Sequence, residues 1–160
     1  MYKKTIYYFF LLGLTILQNS LIHAQVMLVS NGIARCSIVS GKDENFEEQP
    51  LFNWAPKVPF LKNAAEDLSV YIEKISGAKI AVKSCPVSGL IPIYVGCPTG
   101  KVAFTKSSKY GDVYLVDIAP DRIVLHGESR RSVYDAAAHL LQELGVRWYG
   151  PGEIGEVIPR

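Results

Sequence analysis

The chain has 160 residues, with 17 Lys and Arg against 15 Asp and Glu. Two of the basic residues, Lys3 and Lys4, belong to an N-terminal segment that we expect to be removed. The mature chain would then carry 15 basic and 15 acidic residues. A net charge of zero argues against nucleic acid or an anionic membrane as the partner of the mature protein.

The N-terminal segment, residues 1–24, is predicted to be a secretory signal peptide. Lys3 and Lys4 precede an apolar run at residues 5–17, and Ala24 supplies the small residue expected before cleavage at Gln25. The run has 13 residues, which is short for a membrane span, although an uncleaved anchor is the alternative. We therefore expect export to the periplasm, the cell surface or the exterior. Residues 25–160 would form one domain, burying roughly two thirds of its unfolded surface.

The mature chain is predicted to open with a hairpin and a long loop. Residues 26–29 and 34–39 are rich in strand-forming types, and Asn31-Gly32 between them favours the positive φ angles of a tight turn. Residues 40–57 are polar, acidic and interrupted by proline, which predicts a surface loop. Phe52 and Trp54 within it either fold the loop down or offer a surface for stacking a sugar ring.

Two amphipathic helices are predicted at residues 59–76 and 130–144. Each carries apolar side chains at helical spacing along one stripe. Gly77 and Gly145 follow the helices, as expected of residues that end a helix in the left-handed conformation. Ser129 is a suitable N-cap for the second helix.

Short strands are predicted at residues 79–83, 92–95, 111–118, 122–126 and 146–149, the last beneath the second helix. Pro120-Asp121 suits the turn between the third and fourth of these. Both faces of residues 111–118 are largely apolar, which indicates a strand covered on both faces, or one covered by helices on one face and by a partner on the other. The resulting fold class is an α/β (α+β) two-layer sandwich, with a mixed sheet and both helices on one face.

No catalytic, cofactor or metal site is predicted. The segment 96–101 departs from a phosphate-binding loop in its spacing, and Pro98 removes a backbone donor. His126 and His139 have no carboxylate at metal-ligand spacing. Glu153 and Glu156 are carboxylates near the end of the chain, where a solvated or interface role is favoured over glycosidic catalysis.

The three cysteines, Cys36, Cys85 and Cys97, form no even-numbered disulfide framework. Burial as small hydrophobic residues is the simpler interpretation. A single Cys85–Cys97 bridge is the alternative, and it would require the two strands that precede these residues to be adjacent and parallel.

Arg147, Trp148 and Tyr149 are the candidate residues for a domain interface. Adjacent strand residues face opposite sides, so Trp148 and Tyr149 cannot both enter one core. One would face the helices and the other would need a second surface, either another domain or a loop over the open face of the sheet. Arg147 would supply a planar guanidinium that donates hydrogen bonds at that interface.

Three segments carry a family resemblance: AAEDLSVYIEKISGAKI at residues 64–80, IPIYVG at 91–96 and ELGVRWYGPGEIGEVIP at 143–159. The last resembles the end of the N-terminal domain of secreted bacterial α-glucuronidase-like proteins, of the glycoside hydrolase family 67 or family 20 type, found with a domain of unknown function. The first two are similar to that domain's first helix and next strands. Ser132 departs from the family, in which glycine is usual near the start of this helix.

The resemblance implies a zincin-like fold without the metal and a catalytic (β/α)₈ barrel that follows the domain. We therefore expect a non-catalytic accessory domain of an exported carbohydrate-active enzyme, with the barrel as partner and an oligo- or polysaccharide as substrate. One alternative is a stand-alone sugar-binding module, for which Phe52, Trp54 and Tyr110 would form the platform. The other is an exported structural domain without a ligand.

Overall fold

The computed structural model describes residues 26–42, 46, 59–97 and 112–159. The predicted signal peptide and nearly all of the predicted 40–57 loop lie outside these residues. So do Phe52, Trp54 and Tyr110, on which the sugar-binding alternative depends. Among the helices that the structure does describe, none is long and apolar enough to span a membrane.

The protein is a two-layer sandwich in which two helices cover one face of a five-stranded mixed sheet. This confirms the predicted fold class. The elements in chain order are β1 (Val29–Ser30), β2 (Ile33–Ala34), β3 (Cys36–Ser40), α1 (Phe60–Ser76), β4 (Val82–Lys83), β5 (Ile91–Val95), β6 (Tyr114–Ala119), β7 (Arg122–Gly127), α2 (Arg130–Glu143), β8 (Arg147–Trp148), a 3₁₀ turn (Glu153–Gly155) and β9 (Glu156–Val157).

The strand order of the main sheet is β4-β3-β5-β7-β6. The first four strands run parallel, and β6 joins the edge antiparallel to β7. Two small ribbons lie outside this sheet, β1 with β2 and β8 with β9, both antiparallel. The β1–β2 turn has positive φ at Asn31 and Gly32, as the Asn-Gly pair predicts.

Local signals mark the end of α1 and the start of α2. Gly77 takes the left-handed conformation after α1, and its N–H bonds the Glu73 carbonyl. At the start of α2, Ser129 and Ser132 form a reciprocal capping box, each side chain accepting from the other's backbone N–H. Ser132, the departure from the resembled family, is therefore a buried cap residue here.

One hydrophobic core lies between the helices and the sheet. Helix positions from both apolar stripes and alternate residues of β3, β5 and β7 meet there, so Leu68 of α1 and Leu141 of α2 lie in the same cluster. This confirms that the two helices share one face of the sheet. The largest fully buried aliphatic side chains of the protein are Ile38, Leu61, Leu68, Ile80, Ile93, Ile123, Leu125, Val95, Val133 and Val146.

Two strand predictions differ from the structure. Residues 111–118 are not covered on both faces within this domain, since Tyr114 and Ile118 of the edge strand β6 are 39% and 44% exposed; cover by a partner stays a prediction. Residues 146–149 were expected beneath the second helix. Instead β8 pairs only with β9, because the glycine- and proline-rich turn after it folds the chain back on itself.

The ends of β3 and β5 approach each other closely at two glycines. The Gly41 N–H bonds the Val95 carbonyl at 2.8 Å. A Cβ atom at Gly41 would lie 2.4 Å from the carbonyl oxygen of Gly96. Because that atom belongs to the backbone, it cannot move aside as a flexible side chain would.

Replacing Gly41 with alanine should therefore lower the free energy of unfolding by about 1–3 kcal/mol, the range for forced overpacking. Urea denaturation of the purified protein measures this. Gly150→Ala is the matched control, because nothing lies within 4 Å of a Cβ there. Equal stabilities of the two variants would contradict the close approach.

Candidate functional site

The C-terminal ribbon, β8 with β9, is attached to α1 through Tyr71. The Tyr71 hydroxyl donates to Glu156 Oε1 and accepts from Trp148 Nε1 at 2.9 Å. The rings of Tyr71 and Trp148 meet edge to face, with centroids 5.4 Å apart and an interplanar angle of 85°. Such aromatic pairs contribute about 0.5–1.5 kcal/mol beyond their buried area. Both strands of the ribbon are thus tied to one helix residue.

Lys74, one helical turn after Tyr71, completes this cluster. Its ammonium group donates to Glu156 Oε2 at 2.8 Å and lies 4.8 Å from the centroid of the Tyr71 ring. Hydrogen bonds from Lys74 and then Tyr71 lower the pKa of Glu156 below its ordinary value. The Glu156 hydrogen bond raises the pKa of Lys74. We call Tyr71, Lys74, Trp148 and Glu156 the ribbon clamp.

Trp148 and Tyr149 have different surroundings, and β8 itself ends at Trp148. Trp148 is 37% exposed and packs on Tyr71, whereas Tyr149 is 80% exposed. Ile154 in the turn is fully exposed and Val157 half exposed, so the ribbon presents an apolar outer surface. Arg147 is directed back onto the end of α2, where its guanidinium donates to the carbonyls of Gln142 and Val146.

A groove of about 290 Å³ is lined by residues of both helices and by Trp148. Small and aliphatic residues of both helices lie at its base, with aromatic rings and one carboxylate around them. The residues that line it are Ala64, Asp67, Tyr71, Tyr134, Ala137, Ala138, Leu141 and Trp148. The groove therefore adjoins the ribbon clamp and shares two of its residues.

Asp67 and Tyr134 form a polar bridge between the two helices within this groove. The Tyr134 hydroxyl donates to Asp67 Oδ2 at 2.7 Å. Burial, followed by this bond to a carboxylate, raises the pKa of Tyr134 to about 12, so the phenol stays protonated. In the described part of the chain, no basic side chain forms an ion pair with Asp67.

The structure separates the remaining candidate residues. Glu153 is exposed in the 3₁₀ turn, whereas Glu156 is bound in the clamp, so the two carboxylates do not face a common cavity. The expectation that no carboxylate stands at ligand spacing from His139 is wrong, because Glu143, one helical turn on, lies 3.8 Å from it. His126 packs against Phe46 with the two rings tilted, and burial lowers its pKa. The described residues contain no cluster of three His, Cys, Asp or Glu suited to a metal ion.

The Cys85–Cys97 bridge considered from the sequence is not formed, and Cys36, Cys85 and Cys97 are all free thiols. The reason is strand order, because β3 lies between β4 and β5. Two strand spacings amount to about 10 Å, beyond the roughly 7 Å limit between bridged Cα atoms. Burial raises the pKa of Cys36 to about 11, which disfavours the reactive thiolate.

Tyr71, Lys74, Asp67 and Tyr134 are site residues that the sequence does not single out. Helical periodicity places Tyr71 on the apolar stripe of the first helix and Lys74 on its solvent-exposed face, and neither position indicates a site. The sequence carries a weak signal for the two tyrosines, because a tyrosine at the edge of an apolar helical stripe can pack its ring while its hydroxyl reaches a polar partner.

Compared with protein-family models and with curated proteins, the chain matches none of them.

Replacing Glu156 with glutamine should lower stability at neutral pH by removing the charge from the clamp. A carboxyl whose folded pKa is depressed stabilises the fold above its unfolded pKa and loses that contribution as pH falls through the folded value. The difference between the wild type and Glu156→Gln should therefore be constant above about pH 5.5 and shrink below the ordinary carboxyl pKa of 4.5.

Thermal unfolding followed by circular dichroism between pH 3 and 7 measures this difference. Glu153→Gln is the matched control, since Glu153 is a nearby exposed carboxylate. A difference that stays unchanged down to pH 3 would show that the clamp does not depend on the charge of Glu156.

Thiol titration of the denatured, unreduced protein should find three free thiols, the full cysteine content of the chain. The expectation follows from the separation of β4 and β5 by β3. A count of one would mean that Cys85 and Cys97 bridge after a rearrangement of the sheet edge.

Proposed function

We propose that this chain is the N-terminal accessory domain of an exported, α-glucuronidase-like glycoside hydrolase that acts in polysaccharide breakdown. The domain is not catalytic by itself. Its role is to buttress a catalytic (β/α)₈ barrel that follows it. The observation that supports the proposal is the ribbon. The segment with the most specific family resemblance is bonded to α1 through Tyr71 and Lys74, while its apolar residues Tyr149, Ile154 and Val157 are left exposed.

The arrangement of carboxylates supports a non-catalytic role. Glycoside hydrolysis uses two carboxyl groups placed across the scissile bond, about 5 to 9.5 Å apart and both accessible to substrate. Glu156 already accepts hydrogen bonds from Tyr71 and Lys74, which leaves its two oxygens engaged within the domain. Its depressed pKa also opposes the protonated form that a general acid needs.

The exposed side chains of the ribbon support a domain interface. Tyr149, Ile154 and Val157 are apolar, close in sequence and exposed, as residues that a second domain covers would be in its absence. The ribbon clamp fixes their orientation relative to α1. A barrel continuing after the ribbon would meet this surface first.

The ribbon therefore predicts a folded protein that self-associates. Tyr149→Ser and Ile154→Ser should each reduce the associated fraction, with a change in unfolding free energy within about 0.5 kcal/mol, the usual limit for exposed positions. Size-exclusion chromatography with light scattering, together with urea denaturation, measures both quantities. Val70→Ser, a half-exposed apolar position on α1, is the matched control and should leave association unchanged.

The direct test of the function is to read the coding sequence downstream of residue 160 and to co-express the encoded barrel with this chain. We expect a complex that the Tyr149 and Ile154 variants weaken. The chain alone should release no product from aldouronic or chitin-type oligosaccharides. Cleavage by the chain alone that Glu153→Gln or Glu156→Gln abolishes would overturn the proposal. Specific glycan-array binding without a barrel would favour the sugar-binding module instead.

A further inference from the structure

The groove between α1 and α2 has a lining that restricts what can occupy it. Its base contains Ala64, Ala137 and Leu141, which favour an apolar stem. Its volume of about 290 Å³ is at the small end of ligand pockets, so it suits one long side chain and not a folded segment. Trp148 belongs both to the groove and to the ribbon, so a domain that packs on the Trp148 side of the ribbon would also cover the groove.

The Asp67 carboxylate favours a positive charge on any side chain that binds in the groove. It accepts one hydrogen bond from Tyr134, and in the described residues no basic side chain forms an ion pair with it. Lys74, the nearby cation of the clamp, is already neutralised by Glu156. If a second domain covered this face with apolar residues alone, the carboxylate would lose water without gaining a counter-charge, which is costly.

We propose that the groove receives one arginine side chain from the domain that follows, with its guanidinium on Asp67 and its methylene stem over the alanines. This inference rests on the proposed function for the source of the arginine. The chemical preference of the groove for an alkylguanidinium is a property of this chain alone.

Aromatic geometry favours arginine over lysine. Three rings, those of Tyr71, Tyr134 and Trp148, line the groove, and a planar guanidinium stacks on such rings while still donating to a carboxylate. The Tyr71 ring already accepts a cation, since the Lys74 ammonium lies 4.8 Å from its centroid. Oδ2 of Asp67 already accepts a hydrogen bond from the Tyr134 hydroxyl, so Oδ1 is left to accept from the guanidinium.

The test uses n-propylguanidinium as the probe and n-propylurea as its neutral analogue of similar shape. Each is titrated into the purified protein, and the indole N–H signal of Trp148 is followed by ¹H–¹⁵N NMR. The chain has two tryptophans, so Trp148→Phe assigns the signal. We expect a saturable shift with n-propylguanidinium and roughly threefold to tenfold weaker binding of the urea, as an ion pair with a cation–π contact would give.

Asp67→Asn should remove the preference for the cation, because the amide keeps an acceptor for Tyr134 but carries no charge. Glu66→Gln is the matched control, since Glu66 is the preceding carboxylate of α1 and lies outside the groove, near Lys62. It should leave the preference intact. Ala138→Leu, which fills the groove while keeping Asp67, should abolish binding of both probes.

Equal binding of the two probes, an unchanged preference in Asp67→Asn, or shifts caused only by a methyl glycoside would each overturn the inference. These binding measurements use this chain alone, so their outcomes do not depend on a barrel. If guanidinium binding holds but no barrel is encoded downstream, the proposed function fails and the groove's preference stands. If a barrel is encoded and binds while n-propylguanidinium does not, the inference fails and the proposed function stands.

Discussion

The packing of α1 directly against α2 is the contact on which the rest of the structure depends. Alanines occupy buried positions of both helices, Ala64 and Ala65 on one and Ala136 and Ala137 on the other. Their small side chains let the two helices lie side by side over the sheet, so each stripe contributes to a single core. A groove remains over these alanines, lined by Ala64 and Ala137 and by the rings of Tyr71 and Tyr134.

Tyr71 joins this helical layer to the C-terminal ribbon. Its hydroxyl serves as both donor and acceptor, and its ring contacts both an indole and an ammonium group. The ring side of Tyr71 packs against the hydrophobic core, so the position of the ribbon is coupled to that of α1 and not to the main sheet. A short two-stranded ribbon is marginal by itself, and these contacts supply what its few ladder bonds lack.

The same contacts relate the fold to the proposed role. A buttress must present its partner surface in one orientation, and the Lys74–Glu156 pair provides such a constraint through charge-assisted bonds. The apolar outer side of the ribbon and the groove at Asp67 would select a partner in different ways. The ribbon requires only complementary shape and apolar area, whereas the groove, in our proposal, takes a cation. Specificity between partners arises mainly from such charge complementarity.

Much of the fold was predictable because it is encoded locally. The turn at Asn31, the end of α1 at Gly77 and the cap of α2 at Ser129 depend on the conformations that neighbouring residues permit. The helical stripes likewise identified which faces are buried, and strand alternation predicted that Trp148 and Tyr149 do not enter one core, in keeping with their 37% and 80% exposure. Periodicity and turn chemistry act over a few residues, so a sequence displays them directly.

The contacts that only the tertiary structure determined join residues far apart in the chain. The bond between Tyr71 and Glu156 spans 85 positions, and that between Asp67 and Tyr134 spans 67. Neither spacing has a signature, because the contact exists only once α1, α2 and the ribbon have taken their places. The order of the strands, which separates Cys85 from Cys97, was open for the same reason. A sequence determines which faces are apolar, but the partner of each face is selected by the packing of the whole chain.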